Sequence, residues 1–599
     1  MCGIAGVFAY KAGDRAALEA PLLAASERMR TRGPDGAGLW WDEEGRVGLA
    51  HRRLAIIDLD DRALQPMHMP EHGLTIVFNG EIYNYRELRA QLIRDTGFRP
   101  RTESDTEVIM ALFAAHGEKM VERLRGMFAL AIWDARRRRL FVARDPYGIK
   151  PLYYADAGGA FHFASQVKAL SAFSALSREP DPAGMVGFQL FGSIPEPFTL
   201  YRDIRALPAG SYAWADSNGP GEPVRYAKVA ETLAAAANDR DGDIDAIVAE
   251  AALDSVRAHL VADVEVGAFL SSGIDSGSLV GLMRDAGQSR IRAITLGFDE
   301  LRGTAADEVP LAMAVARQYG AEHYVRWVSG DEFSGSTEAI LASMDQPSVD
   351  GVNTWFVSKA AHECGLKVVV SGLGGDELLG GYSTFGTVPR ARRFGAFAKL
   401  PFVSRFGKTM LRRFAPGLVR RNPKMLGLLD YSGSWAGAYL LRRAMMLPFE
   451  LDRRLDAETV KEGLERLRPL ALIDEALTPA PASAVAKVSA LESSLYMRNQ
   501  LLRDSDWASM AHSLELRVPY VDWPTLRKIA PISSRLRPGV GKRALARAPS
   551  LPLPQQCVAR GRTGFTIPVA KWIGATANAQ DRLGARYWAE SVSRSFETA

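Results

Sequence analysis

The sequence predicts two unlike domains: an α+β half of short strands and helices, then an α/β half on a mostly parallel sheet with a helical extension. Three observations carry this. At 599 residues the chain is too long for one hydrophobic core, and two to four domains are expected. Residues 1–212 alternate short strand candidates, hairpin signals and helices. After Ile244, strand candidates and helical segments follow one another singly. Hydrophobic residues make up 47% and charged residues 24%, ordinary for a globular protein. A net charge of +5 is weak for this length and does not point to nucleic acid. No apolar run reaches about 18 residues, so no membrane insertion is expected. Met1 to Gly6 carry no charged leader region. The 3 cysteines make no disulfide framework, and a reducing cytoplasm is the expected compartment.

In chain order, Val47–Ala50 and Leu74–Val77 are strand candidates. Phe128–Trp133 and Leu140–Ala143 flank a basic turn at Arg136–Arg139, a hairpin signal. Glu107–His116 is apolar at helical spacing. The turn formers of Asp216–Pro223 and the polar stretch Asn238–Asp245 mark a linker over 213–245, leaving domains at 1–212 and 246–599. Beyond it, Val266–Leu270, Ile291–Phe298, Glu322–Val328 and Leu366–Val370 are strand candidates, and the C-terminal third reads as helical.

Cys2 follows the initiator methionine. If Met1 is removed, one residue carries both a thiol, ordinarily near pKa 8.5, and a free amine near 7.7–8.0. That is a nucleophile with its own general base. By position alone Cys2 is equally an incidental residue of a first strand. The Asn79-Gly80-Glu81-Ile82-Tyr83-Asn84 segment adds a second element. Gly80 admits close backbone approach, and its N–H and the Asn79 amide could both donate to an oxyanion. Arg53 and Asp105 form a complementary pair for the carboxylate and ammonium of an amino acid. Arg32-Gly-Pro-Asp-Gly36 and Arg144-Asp-Pro-Tyr-Gly-Ile-Lys-Pro151 are loops of the kind that shape a pocket.

Taken together, the run from Cys2, Arg32–Gly36, Asn79–Asn84 and Ser104-Asp-Thr-Glu107 resembles the class II glutamine amidotransferase domain of the asparagine synthetase family. The resemblance implies an Ntn-hydrolase αββα sandwich, with Cys2 as nucleophile and as amine base. It implies Asn79 and Gly80 as the oxyanion hole, and Arg53, Glu81 and Asp105 as the groups holding glutamine. Thr31 and Gln166 stand where the family often has histidine and glutamate.

Leu270-Ser-Ser-Gly-Ile-Asp-Ser276 lies between a strand candidate and a helix, where backbone N–H groups and a helix N-terminus gather anions. An ordinary strand–helix turn would read the same way. The loop is not of the Walker type, since no Gly-Lys-Ser/Thr follows. It resembles the pyrophosphate loop of ATP-pyrophosphatases, Ser-Gly-Gly-x-Asp-Ser, with Ser272 for the first glycine. Ser371-Gly-Leu-Gly-Gly-Asp-Glu-Leu-Leu-Gly-Gly-Tyr382 resembles the family's second ATP and acceptor loop. Segments 502–506, 509–519, 521–522, 541–542 and 562–572 continue the likeness in order. The resemblance implies an ATP-pyrophosphatase-type synthetase domain that binds ATP through Leu270, Ser271, Ser272, Gly273, Asp275, Ser276, Leu296, Ser371 and Gly372. Asp275 and Asp376 would hold Mg²⁺, and Lys542 would stabilise charge on the leaving pyrophosphate. The partners implied are glutamine, ATP and a carboxylate acceptor, and the family resemblance allows a homodimer.

Asparagine formation is the family's commonest assignment and leads the readings of the acceptor. However, Leu373 replaces an acidic loop residue, and Asp345-Gln-Pro-Ser-Val-Asp-Gly-Val-Asn353 lacks the threonine and arginine that hold aspartate in well-defined members. Another carboxylate, such as a sugar uronic acid of a surface polysaccharide, is the alternative. A cyclising synthetase without glutaminase activity is opposed by Cys2, Asn79 and Asp105. Residues 378–429 contain eleven Lys or Arg and no acid, which suits a solvated helical insertion or, alternatively, an anionic membrane surface.

Overall fold

The structure is a computed structural model that describes residues 2–11, 14–236, 242–397, 424–560, 572 and 581–597. Thirteen strands of the N-terminal half run from Gly3–Phe8 (β1), Gly36–Trp41 (β2), Val47–Arg53 (β3), Met67–Met69 (β4) and Leu74–Ile82 (β5) to Gly126–Asp134 (β6), Arg139–Arg144 (β7), Tyr153–Ala157 (β8), Ala160–Ala164 (β9), Arg205–Ala206 (β10), Ser211–Asp216 (β11), Gly219–Pro220 (β12) and Val224–Arg225 (β13). They form two antiparallel sheets, one ordered β10-β8-β9-β1-β3-β2 and the other β12-β11-β7-β6-β5-β4, with β13 beside β11.

Period-2 alternation stacks these sheets. Ile4 and Phe8 of β1 meet Val77 of β5 and Ala129, Ala131 and Trp133 of β6 in the layer between them. The intervening residues Ala5 and Val7 face outward under the helix Arg15–Arg28, through Leu22, Ala25 and, just past its end, Met29. On the other side, Phe128, Leu130 and Ile132 of β6 face the helix Asp105–His116, through Val108 and Leu112. The result is the αββα layering. Ser104 caps the latter helix by accepting from the Thr106 N–H, which sets Asp105 in its first turn.

The stretch expected as a linker departs from that reading. β11 runs on to Asp216, and the turn formers at 216–223 bend the chain back into β12 and β13 instead of releasing it. A turn-rich stretch is compatible with a hairpin and with a linker, and only pairing separates the two.

The second half carries β14 (Val266–Phe269), β15 (Arg292–Phe298), β16 (Glu322–Val328), β17 (Val368–Val370) and β18 (Glu515–Arg517), all parallel in the order β16-β15-β14-β17-β18. The strand order reverses direction of growth at β14, so the loops after β14 and β17 open side by side at a topological switch point. That is where open parallel sheets accept ligands. Much of the chain beyond β17 is helical, as expected, although β18 returns to the sheet edge. Among the described residues no helix is long and apolar enough to cross a membrane. Much of the basic stretch, including Lys399, Arg405 and Arg412–Phe414, and the segment 562–571 lie outside the described residues.

Candidate active sites

Cys2 lies just ahead of β1, buried at the end of the sandwich, and its backbone N–H donates to Asn79 Oδ1 at 2.9 Å. Asn79 is fully buried, and its Nδ2 has no partner. The side chain is thereby oriented at one atom and available at the other. Alternation along β5 explains the placement: Val77, Asn79 and Glu81 point to one face, and the first of these is in the core between the sheets. Gly80 occupies the opposite position, where a Cβ would lie 2.1 Å from the Met127 carbonyl oxygen. Burial pushes the Cys2 thiol above its ordinary pKa. Met1 lies outside the described residues, and the amine-base reading with it.

The three groups expected to hold glutamine converge on the same end. The Arg53 guanidinium is steered by the carbonyls of Asp58 and Asp60. Asp105 accepts from the Ile82 N–H at 3.0 Å, and burial raises its carboxyl to about 6. Glu81 is buried with Oε2 lacking a hydrogen-bond partner; burial and then the charge of Glu515 raise it.

That last neighbour is one the sequence reading passed over. Glu515 and Arg517, from β18 of the other domain, form a fully buried pair at 2.6 Å, and Arg517 Nη2 lies 3.8 Å from Glu81. Burial opposes ionisation of Glu515, but surrounding cations, Arg517 and Lys150 among them, hold it down to about 2. Arg32 is a second such residue. It is 1% exposed, donates from Nε to the Cys2 carbonyl at 3.1 Å, and binds Asp506 through both terminal nitrogens at 2.6 and 3.0 Å. Both contacts join sequence segments that the motifs name but give no reason to connect.

The second site is a cavity of about 500 Å³ at the switch point. Leu270, Ser271, Ser272, Gly273, Asp275, Ser276, Leu296, Ser371, Gly372, Asp376 and Lys542 all line it. Within the first loop, Ser276 Oγ accepts from the Ser271 N–H at 3.1 Å and lies 2.9 Å from Ser271 Oγ; the Gly273 N–H donates to Ser271 Oγ at 3.1 Å. This tightens the turn ahead of the helix Ile274–Asp285, whose N-terminus faces the cavity. A Cβ at Gly372 would lie 2.7 Å from the Ser276 nitrogen, so the two loops pack as closely as only glycine permits. Lys542 bridges both loop aspartates, pairing with Asp275 and, at 2.8 Å, with Asp376. Burial disfavours its charge, but the two carboxylates outweigh that and raise its pKa. Two aspartates converging on one cation suit Mg²⁺, which takes carboxylate oxygens alongside those of phosphate. Among the described residues no cluster of three or more acidic, His or Cys side chains is placed to hold a metal unaided.

A buried cysteine at the open end of an αββα sandwich, joined to a parallel sheet with paired glycine loops at its switch point, defines a glutamine amidotransferase coupled to a ligase. Residues 1–226 match the family model described as a glutamine amidotransferase domain, and residues 248–593 match that described as asparagine synthase. The chain belongs to the asparagine synthase family and is a ligase of the glutamine-hydrolysing type. It is 33% identical to a protein of Mycobacterium tuberculosis named putative asparagine synthetase [glutamine-hydrolyzing], over 96% of this chain and 89% of that one. It is 31% identical to asparagine synthetase [glutamine-hydrolyzing] 1 of Bacillus subtilis, over 96% and 88%. A protein of Gibberella zeae named amidase chry2 is 31% identical over 64% of this chain and 60% of its own length.

Proposed function

We propose that the chain amidates a carboxylate with ammonia taken from glutamine, activating the acceptor as its adenylate. Cys2 Sγ attacks the glutamine side-chain amide, and Asn79 Nδ2 and the Gly80 N–H receive the oxyanion. The C–N bond breaks, ammonia leaves, and water cleaves the thioester to glutamate. Arg53 and Asp105 hold the carboxylate and ammonium of glutamine, and Glu81 completes that end. At the second site an acceptor carboxylate oxygen attacks the α-phosphorus of ATP and pyrophosphate leaves. Ammonia then attacks the acyl carbon, loses a proton, and expels AMP. Asp275 and Asp376 would hold Mg²⁺, which would neutralise phosphate charge, and Lys542 would follow the charge onto pyrophosphate.

The observation that carries this reading is the Cys2–Arg32–Asp506 chain of buried hydrogen bonds. It ties the nucleophile to the helix Arg503–Met510, whose Asp504 and Ser505 line the nucleotide cavity. Two half-reactions that share ammonia require such a fixed relation.

The names of the relatives bring aspartate forward as acceptor. Leu373, which lines the cavity where an acidic residue is usual, favours another carboxylate, such as a uronic acid. The test is pyrophosphate release with ATP, Mg²⁺ and glutamine, with and without a carboxylate acceptor. Cys2→Ala is expected to abolish glutamine-driven amidation while added ammonia still drives it. Full glutamine-driven activity in that variant would refute the assignment of the nucleophile.

A further inference from the structure

A second cavity, of about 530 Å³, lies where the last helix of the glutaminase half meets the C-terminal helix. That is the size of a small-molecule site. It shares no lining residue with the nucleotide cavity, and none with the groups around Cys2. One wall is the helix Pro182–Phe191 and the chain that follows it to Tyr201. Met445, Met446, Arg454 and Leu455 form another. The third is the helix Asp581–Glu597, where Arg586, Ala589, Glu590, Ser593 and Arg594 recur three and four residues apart and so share one face. On the same helix Trp588 and Val592 are buried in the core, which fixes that face toward the cavity. The walls are tied together: the Met445 N–H donates to the Leu190 carbonyl at 2.6 Å, and Gln189 Nε2 donates to Ser593 Oγ at 3.4 Å.

The lining divides by polarity. Phe188, Ile194 and Met446 are apolar and at most 3% exposed. Arg178, Arg454, Arg586 and Arg594 line the same space, and their side chains reach solvent: those of Arg454 and Arg586 are 29% and 21% exposed. Glu590 pairs with Arg454, and the buried Glu450, behind the wall, pairs with Arg586 at 3.2 Å. Arg178 donates to the Ser171 carbonyl, a neutral partner. Burial, then the charges of Arg586 and Arg594, lower the Arg454 pKa, so these guanidiniums crowd one another across the opening. An anion placed there relieves that crowding, and guanidiniums receive carboxylate or phosphate oxygens with charge-assisted hydrogen bonds. An apolar chain joined to the anion is drawn from water by the interior behind it. The apolar side chains face inward between the walls, which suits a ligand taken up from solution rather than a bilayer surface.

We infer that this cavity is a second ligand site, taking a free amphipathic anion whose apolar chain lies among Phe188, Ile194 and Met446 and whose carboxylate or phosphate head meets Arg454 and Arg594. The inference does not depend on the amidotransferase reading above.

The experiment is isothermal titration calorimetry of the full chain with decyl phosphate and with decanoate, each below its micelle-forming concentration. Inorganic phosphate supplies the head without the chain, and decyltrimethylammonium the chain with the opposite charge. At least one of the two anionic amphiphiles is expected to bind tenfold or more tighter than both of these. Ser593→Trp, which fills the cavity from its helix face, and the double substitution Arg454→Gln with Arg594→Gln are each expected to weaken that binding at least tenfold. Arg453→Gln, which removes a neighbouring charge outside the lining, is expected to leave it unchanged. Melting temperatures of the same samples separate loss of the site from loss of the fold. Binding no tighter than that of phosphate or of the cationic amphiphile overturns the inference. So does binding indifferent to Ser593→Trp, or weakened as much by Arg453→Gln. Pelleting of the chain with phosphatidylglycerol vesicles, with no uptake of the dispersed probes, overturns it in favour of a membrane surface.

Discussion

Asn79 divides its side chain between two tasks: Oδ1 takes the Cys2 N–H, and Nδ2 is left to donate. That division orients the amide without a rotamer choice at the moment of reaction. Asp105 shows the opposite economy, a carboxyl whose charge the fold opposes. It stands at about 6 against an ordinary 3.8 because burial disfavours the ionised form. The sign follows from linkage. A carboxyl raised on folding binds its proton more tightly in the native state, so its contribution to stability is fullest below about pH 4 and is lost as pH climbs through 6. In the proposed glutamine site the substrate ammonium needs the ionised form, so glutamine KM is expected to fall as pH rises through about 6. In Asp105→Asn that dependence should flatten and KM should be high throughout, read from glutamate formation between pH 5 and 8. An unchanged pH profile in the variant would remove Asp105 from the glutamine site.

Two loops from different strands make the proposed nucleotide site, and their fit depends on one missing methyl group. The loop after β17 meets the loop after β14 where Gly372 approaches the Ser276 nitrogen, and a Cβ would sit at 2.7 Å. Backbone cannot yield there as a side-chain tip would. Gly372→Ala is expected to lower acceptor-dependent pyrophosphate release at least tenfold by spreading the loops, a cost of about 1–3 kcal/mol for overpacking. Glutamine hydrolysis assayed without ATP provides the comparison, and equal loss of both activities would indicate general misfolding instead. The element scale also shows what sequence patterning could not resolve. Asp216–Pro223 reads as punctuation, yet it forms a hairpin because β11 finds β7 beside it. Glu515–Arg517 lies within a recognisable motif, but its three residues are too short to read as a strand. They become one because β17 offers a free edge.

Across the whole molecule the two sites are held by a buried ionic seam. Arg32 binds Asp506, Arg517 reaches Glu81, and Arg125 binds Asp522 at 2.8 Å. A buried pair is a poor source of net stability, but removing one partner strands the other charge and costs about 3–5 kcal/mol. Arg32→Ala is therefore expected to lower the melting temperature measurably and to weaken the link between glutamine hydrolysis and amidation. More glutamate would be made per acceptor amidated. Arg32→Lys would not restore the link, because an ammonium cannot make the two-pronged contact with Asp506. A variant with unchanged melting temperature and unchanged stoichiometry would show that the seam is not what couples the sites.

Sequence by itself determined the two-domain plan, the cysteine nucleophile candidate and the glycine loops. Each of these is local: a glycine demanded by close approach, a cap ahead of a helix, alternation along a strand. The nature of the groups opposite them was decided only in three dimensions. Arg32 and Asp506 are separated by 474 positions in the chain, and nothing at either position marks it as a partner of the other. Their meeting is set by how the parallel sheet orders its strands and by which edge the sandwich docks against. The pairing chemistry of buried charges is therefore a property of the packed interface, whereas the loops proposed to handle glutamine and phosphate are written along the chain.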